Sequence, residues 1–343
     1  MGIVRRPAAL IIAAIAAVAP AVSGRAALAS TAGHPARPTA VHPAGPAAKL
    51  CVSATIPVGS DPFNVGVDPL TGMIYVGNAK SDTVSVINGH TNAVVATIPV
   101  GHDPAGVAVD PRTNTIYVTD ADDQTVSVIN GQTNAVLTTV KVGIDPFGAA
   151  VNPKTGTVYV TNGFSKTMSV INGQTNAIVA TIRLGRFPVG VVADPRINFV
   201  YASNAASHTV SVINGATNML EGHVHVGDYP YAITVNPRTG MVYTANDLGG
   251  TVSVVNGPSF TRVATIRVGK GPVGITADPH TNTIYAANSG SGTVSVISGH
   301  SNAVTGTVGV GKGPVGIAID QQTHTLYVAN SASNTVSVLA SCG

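Results

Sequence analysis

"PAGVAVDPRTNTIYVTDADDQTVSVINGQTNAVLTTVKVG", residues 104–143, holds the four strand-like runs of one structural period. Four runs rich in β-branched residues, AGVAVD, TIYVT, TVSVI and AVLTTVKV, are separated by DPRTN, DADDQ and NGQTN. Such runs favour strands. Asp-Pro and Asn-Gly favour tight turns, because Pro presets φ at the second turn position and Gly accepts positive φ. No stretch of useful length shows helical periodicity. The segment reads as an inner, a second, a third and an outer strand.

The pattern recurs without slippage. TVSVING starts at Thr83 and its variants return at Thr125, Thr167, Thr209, Thr251, Thr293 and Thr335, always 42 residues on. A period of about 40–45 residues made of short strands marks the blades of a propeller. Seven periods fill residues 50–343. Inner strands are expected near residues 63, 105, 147, 189, 231, 273 and 315, and their second and fourth positions are mostly small, as in Gly106 and Ala108 or Gly316 and Ala318. Small residues suit the place where blades converge, and they leave few titratable groups deep in the channel.

The last period ends after its third strand, TVSVLAS, and lacks an outer strand. CVSATIPVG (51–59) is in phase with the outer strand AVVATIPVG (93–101). The fold class expected is therefore all-β: a seven-bladed β-propeller with four strands per blade, closed by the N-terminal strand completing the last blade. In the 42-residue phase, the only cysteines, Cys51 and Cys342, correspond to Ala93 and His90, which flank a hairpin turn. A disulfide between them is expected in an exported chain.

Export is read from the other end. Arg5 and Arg6 precede an apolar run, Ala8 to Val22, and Ala27-Leu28-Ala29 offers a small-residue cleavage site, with Ser23 as an alternative. Residues 1–29 are expected to be a signal peptide and the Ala/Pro-rich 30–49 a linker. Without Arg5, Arg6 and Arg25 the chain carries 15 Lys+Arg against 15 Asp+Glu, so nucleic acid is not an expected partner. The run before Pro20 is short for a membrane span, and no stable membrane insertion is expected after cleavage. The protein is expected to be an extracellular monomer, free or at the cell wall.

The second strands read IYVGN, IYVTD, VYVTN, VYASN, VYTAN, IYAAN and LYVAN. Over residues 50–343 this resembles the YVTN-repeat β-propellers of microbial surfaces and secreted proteins. The resemblance implies a binding or scaffold module for an extracellular protein or a cell-wall glycan, with no cofactor and no catalytic residues. The related streptogramin lyases, which are metal-dependent enzymes, give the alternative function. They carry Trp-rich repeats and a His/Glu site, whereas this chain has no Trp and a single Glu, Glu221.

Three weaker constellations remain. Glu221, His223 and His225 alternate on one outer strand, a spacing that can bind zinc, but other blades carry ordinary solvated residues there. DADDQ (120–124) is acidic without EF-hand spacing. The inner-to-second turns present a basic arc, Arg112, Lys154, Arg196 and Arg238, suited to an anionic wall polymer. No metal site is assigned.

The preferred ligand-binding candidates lie on the opposite rim, where the repeat is least faithful: Phe63, Phe147, Phe164, Lys166, Arg186, Phe187, Asp228, Tyr229 and Tyr231. There the Gly-x-Asp-Pro of early blades becomes Gly-Arg186-Phe187-Pro and Gly-Asp228-Tyr229-Pro, and aromatic and Arg side chains are the usual anchors of recognition surfaces. Phe187 and Tyr229 are expected to project outward from their loops.

Overall fold

Two polar motifs and one apolar pattern fold each period. In the computed structural model, which describes residues 49–342, every period is a four-stranded antiparallel sheet, and seven such sheets occur among the described residues. The expected signal peptide and all of the linker except Lys49 lie outside the described residues. The inner strands Pro62–Asp68, Pro104–Asp110, Pro146–Asn152, Pro188–Asp194, Pro230–Asn236, Pro272–Asp278 and Pro314–Asp320 define blades 1 to 7.

Second and third strands are apolar on both faces because each sheet is covered on both sides by its neighbours. Tyr75, Val84, Val86 and Ile98 of blade 1 pack against Val107, Ile116, Val118 and Ile129 of blade 2, and equivalent cores fill the other blade interfaces. Each such Val or Ile contributes about 1.5–3 kcal/mol on burial. Outer strands cover only one side, so Ala93–Pro99 buries Ile98 and exposes Thr97 and Pro99.

The Asn closing six of the seven second strands is a buried clasp. Asn78 Nδ2 donates to Thr83 Oγ1 at 3.1 Å and Ser85 Oγ at 3.0 Å, which explains both the terminal Asn and the Thr-x-Ser spacing. The clasp recurs at Asn162, Asn204, Asn246, Asn288 and Asn330. The turns are closed by side chains as well: Asp110 Oδ1 accepts the Arg112 N–H, and Asn88 Oδ1 accepts the N–H groups of His90 and Thr91. Glycine is required where blades touch. A Cβ on Gly131 would lie 2.8 Å from the Tyr75 hydroxyl of the preceding blade, and one on Gly316 would lie 2.6 Å from the Phe63 carbonyl oxygen of blade 1.

The ring closes as the repeat phase requires. Leu50–Pro57 pairs antiparallel with Thr335–Ser341, Cys51 facing Ala340 and Pro57 facing Thr335. Ile56 enters the core between blades 7 and 1 beside Val65, Ile74, Tyr327 and Val338. Cys51 and Cys342 form a disulfide, with their Cα atoms 5.6 Å apart. Beside it, the Cys342 N–H donates to the Lys49 carbonyl at 2.7 Å.

Candidate functional site: the front face of the propeller

The two faces of the ring differ in what their side chains do. On the back face, made of inner-to-second and third-to-outer turns, the basic arc lies across neighbouring blades. Arg238 Nη1 donates to the Pro279 carbonyl at 3.3 Å, Arg112 Nε stands 3.8 Å from Asp110, and Arg196 reaches over Gly240. His223 of the outer-strand Glu/His triplet stands 3.1 Å from Ser211 Oγ.

The front face is made of outer-to-inner and second-to-third loops. The residue before each inner-strand proline has positive φ in all seven blades: Asp61, Asp103, Asp145, Phe187, Tyr229, Gly271 and Gly313. Asp tolerates this region and Gly is indifferent to it, whereas a bulky side chain pays about 1–2 kcal/mol. Phe187 and Tyr229 nevertheless occupy it.

That backbone corrects one expectation. Phe187 and Tyr229 do not project from the loops; they are 5% and 7% exposed. The left-handed turn carries the side chain inward, and the chain around it leaves room. A Cβ on Gly163 would come within 3.2 Å of the Phe187 ring. Phe164, 58% exposed, covers Phe187 edge-to-face at 5.7 Å, so the inner ring is core and the outer ring is surface.

The structure separates the predicted rim residues into two groups. Phe63, Phe147 and Tyr231 form a row at the channel mouth, with ring centroids 5.4 Å apart in each step and neighbouring rings at 79° and 88°. They line a cavity of about 160 Å³ walled by inner-strand backbone and small side chains. The second group lies farther out. Arg186, Lys166 and Asp228 are exposed, and Arg186 Nη2 donates to the Ala206 carbonyl at 2.9 Å. Around them stand Ile144 beside Phe164 on blade 3 and Leu248 on blade 5, 51% and 56% exposed. The Ser165 hydroxyl accepts the Ile144 N–H at 2.7 Å and fixes the blade 3 pair together.

Carboxylates of the front-face loops were not among the predicted site residues. Burial raises Asp103 to about 6, and every charge acting on it is another carboxylate: Asp122, Asp145, Asp61 and Asp82. Asp61 is held by Lys80 Nζ at 3.1 Å. Asp247 is nine-tenths buried, without a hydrogen bond to its carboxylate, and burial raises its pKa. Its backbone N–H donates to the Tyr229 carbonyl at 3.0 Å, which sets the two side by side. The available signal was positional: blades 1 to 4 carry Ala79, Ala121, Gly163 and Ala205 where blade 5 has Asp247.

No family model matches the chain. A stretch of 34 residues, 10% of the chain, is 62% identical to the PE-PGRS family protein PE_PGRS18 of Mycobacterium tuberculosis, and the chain spans only 7% of that curated relative's length. Among solved structures it is similar to Kuenenia stuttgartiensis hydrazine synthase, with a TM-score of 0.74 over 81% of this chain and 95% of that one. At 19% identity this is a likeness of fold. The chain is a seven-bladed β-propeller built on a regular repeat of about 42 residues.

Proposed function

We propose that the protein is an exported binding module of the YVTN-repeat propeller type, which holds an extracellular protein partner against the front face of blades 3 to 5. The observation that carries this reading is the exposed apolar set Ile144, Phe164 and Leu248, interspersed with Arg186, Lys166 and Asp228. Apolar anchors amid charges are the makeup of a recognition patch. The disulfide fits an oxidising compartment and supports export. The repeat supplies the fold without needing these three side chains: Phe164 and Leu248 occupy one repeat position, at which the other five blades carry Lys80, Asp122, Ala206, Gly290 and Ala332, and the equivalents of Ile144 are all polar.

The test compares wild type with Ile144→Ser/Phe164→Ala/Leu248→Ser for retention of culture-supernatant proteins and of purified wall glycan. Wild type is expected to retain a protein, and the variant to bind it about 30-fold or more weaker, the loss of a hot spot. Its fold should change little, since exposed substitutions usually cost within about 0.5 kcal/mol each. Equal retention by both proteins, or retention of glycan alone, refutes this use of the face.

A further inference from the structure

The inner strands carry a row of rings that does not close. At the residue after the inner-strand proline, blades 1, 3 and 5 place Phe63, Phe147 and Tyr231, and each ring meets the next edge to face with centroids 5.4 Å apart. Ala105 and Val189, on the blades between, are small enough to leave the rings that room. An odd number of blades cannot alternate large and small all the way round. Blades 6 and 7 both carry valine, Val273 and Val315, where the row would return from Tyr231 to Phe63. These two valines and the three rings line the same cavity of about 160 Å³.

We infer that this cavity binds a small uncharged aromatic molecule with one polar substituent, its ring taking the place left by Val273 and Val315 and its substituent served by Asn64 and Tyr231. The site is separate from the outer patch and does not depend on the reading given to that patch.

The polar side chains of the lining are few and unengaged. Among the described residues they are Asn64 and Tyr231, and the rest of the wall is rings, Val, Ile, Ala and Gly. Asn64 stands where five other blades carry Gly. Its Oδ1 accepts the Val65 N–H at 2.7 Å, which fixes the amide and leaves Nδ2 without a partner among the described residues. The Tyr231 hydroxyl likewise makes no hydrogen bond there, and Phe63 and Phe147 show that the row does not need one. Both residues are partly exposed, hence reachable. Apolar side chains with a few unused polar groups among them are the usual makeup of a small-molecule site.

Size and lining select the ligand. A cavity of about 150 Å³ suffices for benzene, so this one takes a single ring with a small substituent. The rings of the row already meet at 79° and 88°, the arrangement in which the positive edge of one faces the negative face of the next. A further ring extends the series on the same terms. No charged side chain lines the wall, so an ion would lose its hydration without meeting a counter-charge. Water beside the rings and valines finds no hydrogen bond from them, and an aromatic ring that displaces it gains affinity.

The experiment is calorimetric titration of the disulfide-intact protein with phenol and benzyl alcohol. Cyclohexanol serves as the non-aromatic isostere, and benzoate and benzylammonium as charged counterparts. Saturable binding of the aromatic alcohols is expected, with Kd on the order of 1 mM and at least about fivefold tighter than cyclohexanol, and none of either ion. Asn64→Gly/Tyr231→Phe installs residues that other blades carry at these positions. It should melt as wild type does and bind about tenfold more weakly. Ile144→Ser/Phe164→Ala/Leu248→Ser should bind phenol as wild type does. No saturable binding, equal binding of cyclohexanol or of an ion, or unchanged affinity in the folded double variant overturns the inference. So does loss of phenol binding in the triple variant, which would place the alcohol on the outer patch. Protein retention by that patch is scored on its own, so either reading can fail while the other stands.

Discussion

Asp120 stands where six blades place the clasping Asn. The geometry survives because the two hydroxyls reverse roles: Thr125 Oγ1 and Ser127 Oγ now donate to Asp120 Oδ2, at 3.0 and 2.8 Å. The charge does not fit the site as well as the shape does. Burial raises Asp120 to about 6, and the hydrogen bonds from Ser127 and Thr125 recover only part of the shift. A carboxyl whose folded pKa lies above its unfolded value binds protons more tightly in the folded state, so stability falls as pH rises from about 4 through 6. Asp120→Asn restores the clasp and is expected to stabilise the protein at pH 7 by up to about 3 kcal/mol. The gain should vanish below about pH 3, where the carboxyl is protonated folded and mostly protonated unfolded. Melting curves at about pH 7 and pH 3 check this; a gain that persists at pH 3 would falsify the electrostatic account.

The outer strands show what is legible at the level of the element. Their existence, order and phase follow from the turn dipeptides and β-branched runs, but each contains an irregularity that alternation does not reveal. Val86 pairs with Ala96 and Ile87 with Val94, which leaves Val95 as an unpaired bulge and puts Val94 and Val95 both on the surface. A bulge twists an exposed edge and discourages pairing with another chain. The closing strand keeps it although it comes from the opposite end of the sequence: pairing shifts between Val52 and Ala54, and Ser53 Oγ donates to the Val338 carbonyl at 3.2 Å. The direction of Phe187 and Tyr229 was hidden for a similar reason. It depends on a left-handed backbone before proline, and Gly-Arg-Phe-Pro does not announce one. The closing strand also carries a prediction. The bridge spans a sequence separation of 291, and the loop-entropy ceiling for so long a loop is about 5–6 kcal/mol. Cys342→Ser should lower the melting temperature and open Leu50–Pro57 to limited proteolysis, as should reduction of the wild type. Unaltered melting and protection in the variant would show that strand pairing alone holds the ring.

For the whole molecule, the 42-residue period fixes the number of blades and the closure, but it does not say which side chains meet over the axis. The Asp of Gly-x-Asp-Pro reads as a turn residue, and it is one, with positive φ at Asp61, Asp103 and Asp145. That three of them stand on one face in consecutive blades follows from ring geometry, which places residues 42 apart at equivalent positions. Their sum sets the pH response. Asp103 and Asp120, both near 6, and Asp247, raised by burial, favour the protonated folded state. Asp123 is lowered by the His102 N–H and imidazole, and Asp278 is held low despite its burial by Thr281, the His280 N–H and His324. The first group makes stability rise as pH falls from 7.5 to about 5, and the second makes it fall once pH drops below the ordinary carboxylate range. Scanning calorimetry should therefore give a higher melting temperature at pH 5 than at pH 7.5. A flat profile, or one rising with pH across that interval, contradicts the assignment.

The bridge between Cys51 and Cys342 also decides how the molecule bears load. Tension applied through chain preceding the first cysteine and chain following the second enters and leaves the ring at two Cα atoms 5.6 Å apart. The covalent link carries that tension past the blades, so none of the strand ladders between them is sheared or unzipped. A tether pulled by flow or by a moving surface would stretch only its own linkers while the front face kept its shape. Reduction would reroute the same force into Leu50–Pro57, peeling the last blade first.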